Sequence, residues 1–282
     1  MNALWHWLQT PRDARLLSLF RISFYAGLAL HFFPSLWLVH DNYGADIVRQ
    51  TLWNQTVFAA GTTLSPTLLR AAALVTMGAI AAGLLGLFPR VAAVVTLVGT
   101  YCFASLNCLP VQTLALINAW AVLPVLCVCD GAAGAWSLGR RPSLAPTGYL
   151  GSLVLFQVLL AVGFAGVEKL LWSWPSNNEM AMLFRTPQGY ILRDWSWSLS
   201  WFDNPLVSGA IGWLTVGVEL TTPALLLIKK TRVVGLIVYQ LMFVGIVAVI
   251  EVPPLFAALF VAGGLLALDT DDLARLGLPS RP

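Results

Sequence analysis

Charge is what this chain has least of: 10% of its 282 residues are charged, whereas 58% are apolar. Ordinary soluble domains carry roughly 25% charge, so the composition excludes a freely solvated globular surface and marks a polytopic membrane protein. Cysteine is also sparse. Cys102, Cys108, Cys127 and Cys129 are spaced Cys-x5-Cys and Cys-x-Cys, which fits neither a redox pair nor a zinc knuckle. They read as buried apolar thiols, and no metal site is expected. No repeat with a period of about 20–50 residues is present, and no inverted duplication, which argues against a transporter built from two related halves. A cleavable secretory signal is lacking as well: the first apolar run is too long, and no small-residue cleavage site follows it. The first span is therefore expected to remain.

What is present is a series of apolar runs, near 15–39, 67–88, 91–109, 111–129, 149–172, 206–228, 232–250 and 252–268. Each is long enough to approach or cross a hydrocarbon core about 30 Å thick. They predict an all-α bundle of about eight spans forming one domain over residues 1–282, with outer loops at about 40–65 and 173–205. Basic residues give the orientation. With a cytoplasmic amino terminus, the inner segments hold Arg12, Arg15, Arg90, Arg140, Arg141, Lys229, Lys230, Arg232, Arg275 and Arg281. The outer segments hold only Arg49, Arg70, Arg185 and Arg193. Ten against four follows the positive-inside rule and puts both termini in the cytoplasm of an inner (plasma) membrane protein. The net charge of +3 is thereby explained by topology, and no basic cluster dense enough for nucleic acid is left over.

Two basic residues fall inside the spans, Arg21 and Lys169. An ionisable group at membrane depth is costly, which makes it a candidate for function. Counting about 1.5 Å per residue from Tyr149 places Lys169 near the outer hydrocarbon boundary, where a long side chain can also simply snorkel to the headgroups. Gly163 and Gly166 precede it on the same helix and let a second helix come close. Glu168 is adjacent in sequence and so does not face the lysine. Glu219 lies at mid-bilayer depth, where it must be protonated, paired or beside a polar cavity. Arg21 is its expected partner across helices. Gln240 and Asn118 complete a supporting polar network as interhelical glue.

The second outer loop alternates Trp195-Ser196-Trp197-Ser198 and continues to Trp201, placing three tryptophans on one side of an extended segment. With Trp172 and Trp174 they form an outer aromatic group. It reads as an interfacial belt or as a vestibule for a lipid, a quinone or an apolar peptide.

Phe164-Ala165-Gly166-Val167-Glu168-Lys169-Leu170, the early Leu19-Phe20-Arg21-Ile22, and Glu219 followed by Lys229-Lys230-Thr231-Arg232 resemble the membrane domain of the vitamin K-dependent gamma-carboxylase-like family, the horizontally transferred transmembrane (HTTM) domain. The likeness runs over roughly residues 8–270. It implies that Lys169 is the general base that deprotonates a reduced quinone, which would be the cofactor, and that a peptide, protein or lipid substrate is presented from the outer side. Taking an ammonium out of water disfavours its charged form, which is how a lysine supplies a free amine near neutral pH. The chain departs from the family in having only His6, His31 and His40, with Gln240 where a histidine is sought, and in lacking the large soluble domain. Carboxylation of a propeptide-bearing protein is accordingly not expected. The alternative is a noncatalytic membrane subunit, an assembly or maturation partner of a larger complex, in which Lys169, Glu219 and Arg21 only hold the bundle together.

Overall fold

The computed structural model describes residues 13–38, 65–106, 124, 136–138, 148–172, 204–249 and 254–277. Among these residues the regular structure is entirely helical: α1 (Ala14–Trp37), α2 (Pro66–Leu85), α3 (Pro89–Leu106), α4 (Gly148–Leu171), α5 (Pro205–Leu227), α6 (Arg232–Val249), α7 (Pro254–Leu265) and α8 (Thr270–Arg275). Four stretches are long and apolar enough to cross a membrane: Ala14–Pro34, Pro66–Leu85, Leu150–Leu171 and Pro205–Leu227. Shorter apolar helical stretches cover Pro89–Phe103, Arg232–Val247 and Pro254–Leu265. The run at 111–129, except for Pro124, lies outside the described residues, as do nearly all of the two outer loops. Large apolar side chains face outward, with Leu206 82%, Trp37 79% and Leu171 77% exposed. Such surface is compatible with lipid and not with water. The chain is a helical membrane protein.

The chain sorts into two compact units, one comprising residues 1–151 and 254–262, the other 152–253 and 263–282. In the first, Asp13 caps α1 by accepting from the Arg15 N–H at 2.8 Å, which satisfies one of the donors a helix start leaves orphaned. Pro66 opens α2 after Ser65, and Gly86, at φ 73°, closes it by donating to the carbonyls of Ala82 and Gly83. That left-handed geometry suits glycine. Core positions Leu17, Phe20, Phe24, Leu28, Phe32 and Leu36 repeat every three or four residues along α1 and are buried. The close approach of α2 comes from Gly83, where a side chain would run into the Tyr25 ring. Gly99 of α3 is likewise filled from the other side by Thr76 of α2.

In the second unit, Asn204 caps α5 by accepting from the Leu206 N–H at 3.0 Å, with Pro205 in its first turn. A short turn joins α5 to α6. It is held by Thr231, whose hydroxyl donates to the Leu225 carbonyl at 3.0 Å. The tail returns to this turn. Asp269 and Asp272 form a reciprocal capping box at the start of α8, and both carboxylates accept from Arg232 Nη1 at 2.8 Å. Lys229 adds a 2.7 Å bond to Asp271. The chain thus departs at Arg232 and comes back at Asp269 to the same place.

This clasp titrates in a defined direction. Burial works to raise the Asp269 carboxyl, but bonds from the Asp272 N–H and Arg232, with the charges of Arg232 and Lys229, outweigh it and hold the group below its ordinary value. A depressed carboxyl contributes stability that is complete above its unfolded value and is lost as pH falls through its folded value. Protection factors for amide exchange at residues 269–277, taken relative to the intrinsic rate at each pH, should therefore be high at pH 7 and fall once the pH drops below about 4. Protection unchanged down to pH 2 would contradict the clasp.

Candidate functional site

Two glycines build the site. On α4 a Cβ added at Gly166 would stand 3.0 Å from Glu219 Cβ and Leu220 Cγ of α5, and one at Gly163 would stand 3.6 Å from Pro223 Cγ. Rising number on α4 meets falling number on α5, so the two helices are antiparallel where they meet. The close approach expected from Gly163 and Gly166 is present, and its partner is α5. One turn beyond Gly166, Lys169 lies in the last turn of α4, where a cation also complements the helix dipole.

On α5 the buried face is Ser208, Gly212, Val216, Glu219, Thr222 and Leu226, spaced by three and four residues as one side of a helix requires. Glu219 therefore points into the bundle. Its Oε1 accepts from Lys169 Nζ at 2.5 Å, with the lysine side chain 25% and the glutamate side chain 4% exposed. At such a contact in a low dielectric the two charges offset much of each other's desolvation. The second carboxylate oxygen, Oε2, is buried and has no hydrogen-bond partner among the described residues.

The pair corrects two expectations. Glu219 is joined to Lys169, whereas Arg21 has other partners: its Nη1 donates to the Gly83 carbonyl at 3.3 Å and its Nη2 to the Trp136 carbonyl at 2.7 Å. Arg21 is 1% exposed and caps the carbonyl end of α2, which a guanidinium suits because that end of a helix is electronegative. Depth is corrected as well. A lysine at the outer boundary and a glutamate at mid-bilayer cannot touch, and contact gives them one level, about 12 Å from the Leu227 end of α5 at 1.5 Å per residue. Counting from Tyr149 assumed a helix that starts at the inner boundary and follows the membrane normal.

Of the other candidates, Gln240 is half-buried on α6 and Trp172 is exposed just past α4, its N–H donating to the Glu168 carbonyl at 3.0 Å. Glu168 is exposed, as its place beside the lysine required. Trp174, Trp195, Trp197 and Trp201 lie outside the described residues. No group of three or more metal-ligating side chains occurs among the described residues. Sequence reading missed the cluster of Arg232 with Asp269 and Asp272, although Asp269-Thr270-Asp271-Asp272 carries an acid at both ends of a capping box. No family model matches the chain, and neither a curated protein nor a solved structure matches it.

Proposed function

We propose that this protein is a multi-pass enzyme of the plasma membrane, similar to the HTTM and vitamin K-dependent carboxylase-like proteins, in which Lys169 and Glu219 act together as the proton acceptor for a reduced quinone. The observation that supports this reading is the direct Lys169–Glu219 contact between two membrane helices. Amine and carboxylate in contact carry one proton between them and no net charge. On accepting a second proton from a quinol hydroxyl they would carry one positive charge, and the quinolate beside them one negative. That product is an ion pair, which a low dielectric tolerates far better than a lone charge. With the shared proton on the Glu219 carboxyl, Lys169 would be the free amine that accepts as general base, and Glu219 the residue that orients it. Oxygenation of the quinolate, with dioxygen taking its two electrons, and modification of a peptide or lipid at the outer side would follow from the resemblance to the family.

The same contact favours a second reading. An ammonium bonded to Glu219 is also a fastening between α4 and α5, and in a noncatalytic subunit it would need no further role. Replacement of Lys169 by arginine separates the two, since a guanidinium can fasten the helices and cannot act as a base.

The orientation belongs to this proposal too, with both termini cytoplasmic and the 173–205 loop outside. Support comes from the ten-to-four distribution of basic residues and from the clasp, which brings the turn before α6 and the tail after α7 to one side. In a protein without its native cysteines, a cysteine at position 140 should be labelled from the cytoplasmic side and one at position 188 from the outer side. The reverse pattern would overturn the orientation.

A further inference from the structure

Pro223 sits inside α5, and a proline has no N–H to return to the carbonyl four residues earlier. That carbonyl belongs to Glu219. On the same turn two more oxygens lack partners among the described residues: Glu219 Oε2 and the hydroxyl of Thr222, the latter residue wholly buried at 0% exposure. Residues three apart on a helix are neighbours, about 5–6 Å between Cβ atoms. Three acceptors, one of them also a donor, therefore gather at one buried turn beside the ion pair.

Buried polar groups are almost always hydrogen-bonded, and where protein offers no partner the usual one is an internal water making two to four bonds. Freed backbone groups at a membrane-helix proline are satisfied in the same manner, by threonine hydroxyls and ordered waters. We infer that a resident water is bound at this turn, donating to Glu219 Oε2 and to the Glu219 carbonyl while accepting from the Thr222 hydroxyl. The close approach of α4 and α5 at Gly166 leaves a larger ligand no way in without parting the two helices. The water's consequence for the pair is a second partner for Glu219, opposite the ammonium. A proton leaving the carboxyl then has a route other than back to the amine. The site rests on the geometry of the pair and not on the reaction proposed for it, so the two can fail separately.

The test is a nearly isosteric change, Thr222→Val, beside Thr222→Ser, in the detergent-solubilised protein. An unsatisfied buried hydroxyl is a liability whose removal stabilises, while a hydroxyl that holds a water is missed when it goes. Thr222→Val should lower the melting temperature, Thr222→Ser should leave it near wild type, and in a Pro223→Ala background, where the Glu219 carbonyl regains an N–H, the effect of valine should shrink. Infrared spectra should contain an O–H stretch that shifts in H2(18)O and disappears in Thr222→Val. A valine variant melting at or above wild type, or the absence of any isotope-sensitive band that depends on Thr222, would overturn the water site.

Discussion

Glu219→Ala is expected to cost the detergent-solubilised protein about 3 kcal/mol. Breaking a buried ion pair by removing one member typically costs about 3–5 kcal/mol, because a charge is left without compensation. The lower figure applies here because the Lys169 side chain, 25% exposed, can turn partly away from the helix interface. Glu219→Gln should do less harm, since an amide oxygen can still accept from the ammonium. Removing both charges together is the informative case. A Lys169→Met, Glu219→Leu double variant should recover most of the loss, because replacing both partners by apolar groups of similar volume is often neutral or stabilising. Chemical unfolding of wild type, Lys169→Met, Glu219→Leu and the double variant gives the coupling by a double-mutant cycle. An alanine variant as stable as wild type, with no coupling to Lys169, would mean that the contact does not hold α4 and α5 together.

The sequence reveals the two partners of this pair more clearly than it reveals the pairing. Lys169 and Glu219 announce themselves because charge inside an apolar run is rare. Gly163 and Gly166 announce a close helix contact, and that contact is there. What the sequence does not carry is which helix fills the contact, because any of several spans could lie against a glycine face. Arg21 seemed the natural partner for Glu219 on charge alone, yet backbone carbonyls can receive a guanidinium as well as a carboxylate can. The end of α2 and the Trp136 carbonyl do so. Carbonyls are present at every residue and so leave no mark in a sequence. Span lengths were legible where the helix has clear ends, as at Asn204-Pro205 for α5 and Ser65-Pro66 for α2. They were less legible for the final apolar run, where α7 covers only Pro254–Leu265 and a capping box starts a separate helix at Asp269. Hydropathy merges such pieces because it registers apolar length and not the turn between them.

Lys169→Arg should leave the fold intact and remove quinol oxidation. Arginine keeps the positive charge and offers Glu219 a planar fork that carboxylates accept readily, so the melting temperature should stay close to wild type. Its guanidinium keeps its proton at any physiological pH. If Lys169 takes the proton of a quinol, the rate should fall on the order of 10²–10⁴-fold, the usual contribution of a general base. Consumption of reduced decylubiquinone by purified protein, followed beside expression level and melting temperature, measures both quantities on one sample. Lys169→Ala adds an independent control. It should be inactive and less stable, and a small primary amine added to the buffer should restore part of the oxidation without restoring the stability, because a diffusible base replaces the proton acceptor but not the tether. A Lys169→Arg protein that melts normally and oxidises quinol as fast as wild type would eliminate proton abstraction by this residue. The Lys169–Glu219 contact would then be a fastening alone, and the proton acceptor would lie elsewhere in the chain; a wild-type protein that consumes no quinol is the result that would leave the noncatalytic subunit as the reading.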